Sequence, residues 1–169
     1  MNNYKLIILD FDGTLCATHE AILYCVKRTY KTLNMTVPAH DFIDETIRAG
    51  LGMEKTLLAL SPELTEQQIQ PILDQYEKIY LSEGEQKSAP YSKAGEVLAK
   101  LHAAGYKLAV VSNKAVAAVN TALERFQLKQ YITAVVGDTK TLRKKPDPMA
   151  YTDFIQPKFK EIDPKQILM

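Results

Sequence analysis

Four aliphatic residues in unbroken succession, Leu6-Ile7-Ile8-Leu9, run directly into Asp10-Phe11-Asp12. A strand with one face in water alternates apolar and polar side chains, because successive residues point to opposite faces. A run without alternation suits a strand buried on both faces, which is the situation of a parallel sheet covered by helices. Two further runs of this kind, over residues 106–111 and 131–136, join residues 4–9 as predicted strands. Helical patterns follow at 18–33, 92–104, 115–126 and 148–155, the second closed by Gly105. Strand and helix alternate in the later units, so the fold class is α/β with a doubly wound, Rossmann-like parallel sheet.

The stretch between the first two strands is too long for a simple crossover and carries helical patterns of its own at 38–49, 53–60 and 65–83. It reads as an inserted helical lobe over residues 16–87, leaving a core of residues 1–15 and 88–169. A chain of 169 residues with 46% hydrophobic content can bury such a core. Its net charge of +1 gives no general attraction to nucleic acid or to an anionic membrane. The nine tyrosines form no stacking platform for single strands. No apolar run approaches a membrane span, and Met1-Asn2-Asn3 leads into a strand instead of a signal peptide, so the expected location is cytoplasmic. Cys16 and Cys25 complete no metal pattern and read as core thiols. His19, His40 and His102 show no partner pattern and read as surface or packing residues.

In an open parallel sheet, ligands gather beyond the carboxyl ends of the strands, which is where Asp10 and Asp12 emerge. Residues two apart in extended chain lie about 7 Å apart on one side. Carboxylates converging to about 4 Å repel by about 4 kcal/mol at an effective dielectric of 20. A divalent cation relieves that repulsion, and Mg²⁺ suits a carboxylate, a backbone carbonyl and retained waters. Gly13 and Thr14 offer a tight turn whose exposed amides could hold an anion beside the metal. Two acids alone suit a solvated, capped strand end equally well.

The complete string Asp10-Phe11-Asp12-Gly13-Thr14-Leu15 resembles the signature of the haloacid dehalogenase-like hydrolases, many of which are Mg²⁺-dependent phosphatases. The resemblance implies that Asp10 is the nucleophile and a metal ligand. It makes Asp12 the general acid/base, with its carbonyl also on the metal. Ser112 and Asn113, after the second strand, resemble the second motif and are implied phosphate contacts, with Lys114 a weaker candidate. Lys145, just before Pro146-Asp147-Pro148, resembles the third motif and is implied as the cation that offsets nucleophile and phosphate charge. Read without the resemblance, Arg143-Lys144-Lys145 equally form a solvated basic run.

The inserted lobe sits where a type C1 helical cap sits in this superfamily. Its segment Ile47-Arg48-Ala49-Gly50-Leu51-Gly52 resembles the cap loop of phosphoglycolate phosphatase-like members, implying that Arg48, Gly50 and Gly52 face the substrate. A helix end with a glycine stop is the competing reading. The implied substrate is a small phosphorylated metabolite, phosphoglycolate first. Family members continue into a fourth strand and an acidic Gly-Asp loop, whereas residues 161–169 enter that strand and the sequence stops at Met169. Gly137-Asp138 stands before Lys145, the wrong order for that loop. A C-terminally truncated fold is therefore expected, with a thin metal site and the first strand near an incomplete sheet edge. A domain that binds phosphate or a partner without turnover is the alternative, and a phosphosugar mutase or pyrophosphatase shares the same motifs.

Overall fold

The computed structural model describes residues 3–139 and 141–169. Met1 and Asn2, where no leader-like start was read, and Lys140 lie outside the described residues. In chain order the elements are β1 (Leu6–Leu9), β2 (Cys16–Ala17), α1 (His19–Thr32), α2 (His40–Arg48), α3 (Met53–Leu60), α4 (Glu66–Ile79), β3 (Ala89–Pro90), α5 (Ala94–Ala103), β4 (Lys107–Ala115), α6 (Val116–Arg125), β5 (Ala134–Asp138) and β6 (Ile167–Leu168). They fall into two compact units, one running up to Ala17 and resuming over Pro90–Met169, the other Thr18–Ala89.

The first unit holds a four-stranded sheet in the order β5-β4-β1-β6, every pair parallel. Leu6 pairs with Lys107 and Leu9 with Val110, while Ala109 pairs with Ala134 and Val111 with Val136. The absence of alternation in the sequence has its cause here. Along β4, Ala109 and Val111 join a buried cluster with Leu6, Ile8, Ile155 and Phe159, whereas Leu108 and Val110 join another with Leu98, Val119 and Leu123. Both faces are covered, and each fully buried Leu, Ile, Val or Phe among them contributes about 1.5–3 kcal/mol by leaving water.

β1 lies beside a two-residue edge strand, β6, whose Ile167 and Leu168 pair with Leu6 and Ile7, which agrees with the expected incomplete edge. Two sequence expectations change. β4 runs on to Ala115, so Ser112, Asn113 and Lys114 are strand residues and not a loop beyond it; the ladder shifts register between Val111 and Ala115, where Ala115 pairs with Asp138. The helix read at 148–155 is a π-helix over Ala150–Ile155, a wider turn that buries Ala150 and Ile155, five apart, on one side.

The second unit is helical. Ala21, Cys25, Val26, Tyr30, Ile43, Leu57, Leu60, Ile69, Ile72 and Tyr76 form its core. Thr65 starts α4 with a reciprocal capping box: its backbone N–H donates to Gln68 Oε1 at 2.9 Å, and its hydroxyl accepts from Gln68 N. The helix read at 65–83 is α-helical only to Ile79 and continues as a π turn over Tyr80–Gly84. Among the described residues no helix is long and apolar enough to cross a membrane.

Candidate functional site

β1 delivers Asp10 at its carboxyl end, and the chain then turns tightly, with Phe11 buried and its carbonyl accepting from the N–H groups of Leu15 at 3.0 Å and Cys16 at 3.1 Å. The same carbonyl takes the Thr14 N–H at 3.3 Å, and Gly13, at φ +76°, donates its N–H to the Cys16 carbonyl at 2.9 Å. This corrects the expectation of exposed amides at Gly13 and Thr14. The turn spends those N–H groups on its own closure, because a tight reversal leaves few other acceptors within reach.

Lys145 reaches this strand end from 135 positions away. Its Nζ donates to Asp10 Oδ1 at 2.8 Å and to the Val111 carbonyl at 3.0 Å. The base of the same lysine is held by Asn113: the Lys145 N–H donates to Asn113 Oδ1 at 2.7 Å, and Asn113 Nδ2 donates to the Lys145 carbonyl at 3.2 Å. The Lys145-Pro146 peptide is cis. A second ammonium, on Lys114, lies 3.3 Å from Asp12 Oδ1, with the Lys114 side chain 10% exposed. Each acid of the motif therefore faces a lysine, which answers the mutual repulsion expected from the sequence. Sequence reasoning gave Lys114 little weight, since a lone lysine after Ser-Asn carries no signal of its partner.

Ser112 is buried, and its Oγ accepts from the Lys114 N–H at 3.2 Å. Lys144 pairs with Asp138 at 3.0 Å and Arg143 with Asp147 at 3.4 Å, so the basic run is not a uniformly solvated face. Beneath the site, burial first and the Asp12 charge second push the Cys16 thiol up to about 12, against the opposing pull of Lys114 and Arg125.

Arg48, Gly50 and Gly52 belong to the helical unit. Arg48 Nε donates to Asp44 Oδ2 at 2.7 Å, one turn back on α2, and the other oxygen of Asp44 meets His19 Nε2 at 2.6 Å. The Arg48 bond first and the His19 bond second lower the Asp44 carboxyl to about 2. His19 thus has a carboxylate partner that no sequence spacing indicated. Gly50 and Gly52 both take positive φ, and Gly52 precedes α3.

Among the described residues no group of three or more His, Cys, Asp or Glu side chains gathers as metal ligands. What the strand end offers is two carboxylates with hard oxygen donors. That set fits Mg²⁺ retaining most of its waters and does not fit an all-protein cage.

Residues 7–169 match the family described as haloacid dehalogenase-like hydrolase. A phosphoglycolate phosphatase from Psychrobacter arcticus is 31% identical over 154 residues, covering 85% of this chain and 65% of its own length. One from Vibrio vulnificus is 26% identical over 171 residues, covering 98% of this chain and 74% of its own. The solved structure of a predicted phosphoglycolate phosphatase from Haemophilus somnus superposes with a TM-score of 0.83 at 26% identity, over 99% of this chain and 76% of that one. A HAD-superfamily hydrolase from Geobacter sulfurreducens, at 18% identity and TM-score 0.71 over 97% of this chain and 77% of its own, shares the fold.

Proposed function

The chain belongs to the haloacid dehalogenase-like hydrolases, and from that premise we propose that it is a phosphatase hydrolysing a small phosphomonoester through a phosphoaspartate on Asp10. The observation that carries the reading is the meeting of Lys145 Nζ with Asp10 Oδ1 at 2.8 Å, which brings a fixed cation to a strand-end carboxylate. A carboxylate attacks phosphorus only when the charge on the phosphoryl oxygens is offset, and a positioned ammonium does that without reorganising during the reaction.

In the first step an Asp10 oxygen bonds to phosphorus as the ester P–O bond breaks, and Asp12, protonated, gives its proton to the leaving alkoxide. In the second, the Asp12 carboxylate takes a proton from water, the resulting hydroxide attacks the acyl phosphate, and inorganic phosphate leaves with Asp10 restored. Lys145 holds the phosphoryl charge throughout, and Lys114 keeps Asp12 in place between its two duties. The Ser112 hydroxyl, at the same sheet edge, is assigned to a phosphoryl oxygen. The Asp10 carboxylate and the Asp12 carbonyl would hold Mg²⁺, which when bound supplies further neutralisation of the phosphoryl oxygens.

In this reading the helical unit is a cap that recognises the substrate beyond its phosphate, with Arg48, Gly50 and Gly52 as its candidate residues. The proposed substrate is a small anion such as phosphoglycolate, and Arg48, which is largely exposed, would have to leave Asp44 to meet it. The phosphoglycolate phosphatases among the similar proteins point to the same substrate class.

The test is Mg²⁺-dependent hydrolysis of a chromogenic aryl phosphate and of a panel of phosphorylated metabolites including phosphoglycolate. Saturable turnover lost in Asp10→Asn supports the phosphatase. The thin donor set favours one second reading, binding without turnover, and phosphate binding by calorimetry with no hydrolysis at any Mg²⁺ concentration would establish that instead.

A further inference from the structure

Lys145 is fixed at two ends, and its backbone end is held by a single side chain. The Asn113 carboxamide presents one acceptor and one donor edge, and Lys145 uses both, its N–H on Oδ1 at 2.7 Å and its carbonyl on Nδ2 at 3.2 Å. These partners fix which end of the amide is oxygen, since only that orientation satisfies both bonds. Two bonds to the N–H and carbonyl of one residue act as a strand partner would: they set both the position and the rotation of the Lys145 backbone. The ammonium then lands between Asp10 Oδ1 and the Val111 carbonyl.

Val111 and Asn113 stand two apart on β4, so one strand supplies both the anchor for the root of Lys145 and an acceptor for its tip. The ladder to β5 shifts register between Val111 and Ala115, and within that interval the Asn113 side chain bonds the Lys145 backbone.

We infer that Asn113 is a positioning residue for Lys145, acting through the lysine backbone and not by contact with the phosphate. The inference rests on the phosphatase reading for what Lys145 does, but the positional claim stands on geometry alone. A long, flexible lysine stem loses precision unless its origin is fixed, and a displacement of about 1 Å at a catalytic group costs on the order of 100-fold in rate.

The experiment uses the full chain and two readouts. The first needs no turnover: limited acylation with an amine-reactive ester, followed by peptide mass spectrometry, compares Lys145 with the exposed Lys158. Asn113→Ala is expected to raise Lys145 acylation at least threefold relative to Lys158, while Asn113→Asp, which keeps an oxygen for the Lys145 N–H but loses the donor to its carbonyl, falls between Asn113→Ala and wild type. The second is kinetic. Asn113→Ala lowers kcat about 10- to 100-fold with KM little changed, and adds nothing in a Lys145→Met background, because residues acting as a unit are not additive. Unchanged acylation in a folded Asn113→Ala protein, or independent losses in the double variant, overturns the inference. If Asn113→Ala does not fold, Asn113→Leu, of similar size but with neither bonding edge, carries the test, with raised Lys145 acylation in support and acylation unchanged from wild type against. If the wild type shows no turnover, the phosphatase reading fails on its own and the acylation result still decides the positional claim.

Discussion

The ammonium of Lys114 stands 3.3 Å from Oδ1 of Asp12, joining residues 102 positions apart at one strand end. With Asp12 assigned as the acid and base of the reaction, this pair fixes where its carboxylate waits. Partly exposed ion pairs are worth up to about 1 kcal/mol. Lys114→Met is therefore expected to lower kcat about five- to tenfold and leave the melting temperature within a few degrees, as steady-state kinetics and a thermal melt would measure.

Lys145 carries more. In the proposed reaction its charge is offered to the same phosphoryl group that Asp10 attacks, and removing one preorganised donor from such a site costs about 100- to 1000-fold in kcat. Lys145→Met is expected to fall in that range. Stability should change by about 1 kcal/mol or less, since Asp10 is 41% exposed and regains water when its partner goes. Rapid kinetics with an aryl phosphate and urea unfolding, on the same preparations, separate the two effects.

Cys16 makes a pH-dependent prediction. Burial and the Asp12 charge place its folded value at about 12 against an ordinary 9.0. Between those values the folded chain keeps a proton that the unfolded chain has lost, so this thiol lowers stability progressively as pH rises from about 9 towards 12, and its contribution is intact below 9. Urea titrations at pH 8 and above pH 9 should show a decline that is smaller in Cys16→Ala. Native alkylation of Cys16, read by peptide mass spectrometry, should run much more slowly than for a free thiol, because the thiolate is scarce and the sulfur is buried.

What the sequence made legible follows from its periodicities. The three apolar runs marked strands of the sheet, two of them, β1 and β4, inner strands covered on both faces and the third, β5, at its edge, and the lysine before Pro-Asp-Pro stood out within a basic run whose two preceding members pair elsewhere. The extension of β4 through Ser112 to Ala115 was not legible, because polar residues after an apolar run read as a loop, and the ladder resumes only at Ala115 after a register shift. The grip of Asn113 on Lys145 spans 32 positions, and its amide read from local pattern looks like ordinary turn chemistry. The closure of the Gly13-Thr14 turn on itself, and the pairing of His19 with Asp44, depend on three-dimensional neighbours that no spacing encodes.

Gly137 links the sheet to the site by close approach. A Cβ built there would stand 2.7 Å from Val116 Cα and 2.8 Å from both the Lys114 carbonyl and Val116 N, all backbone atoms that cannot rotate away. Gly137→Ala must therefore push β5 from the end of β4, where Ala115 pairs with Asp138, at a cost of about 1–3 kcal/mol. The displaced segment carries Lys114, so the same variant should lose at least the activity lost by Lys114→Met, and the two together should lose less than the product of the separate effects. Gly95→Ala is the control. Its added Cβ meets only Leu128 Cδ2 at 3.4 Å within α5, where alanine is the better helix former, so urea unfolding should find it neutral or slightly more stable. Equal stability of the Gly137→Ala protein and wild type would show that β4 and β5 have room to part, and the tight approach would then have no part in placing Lys114.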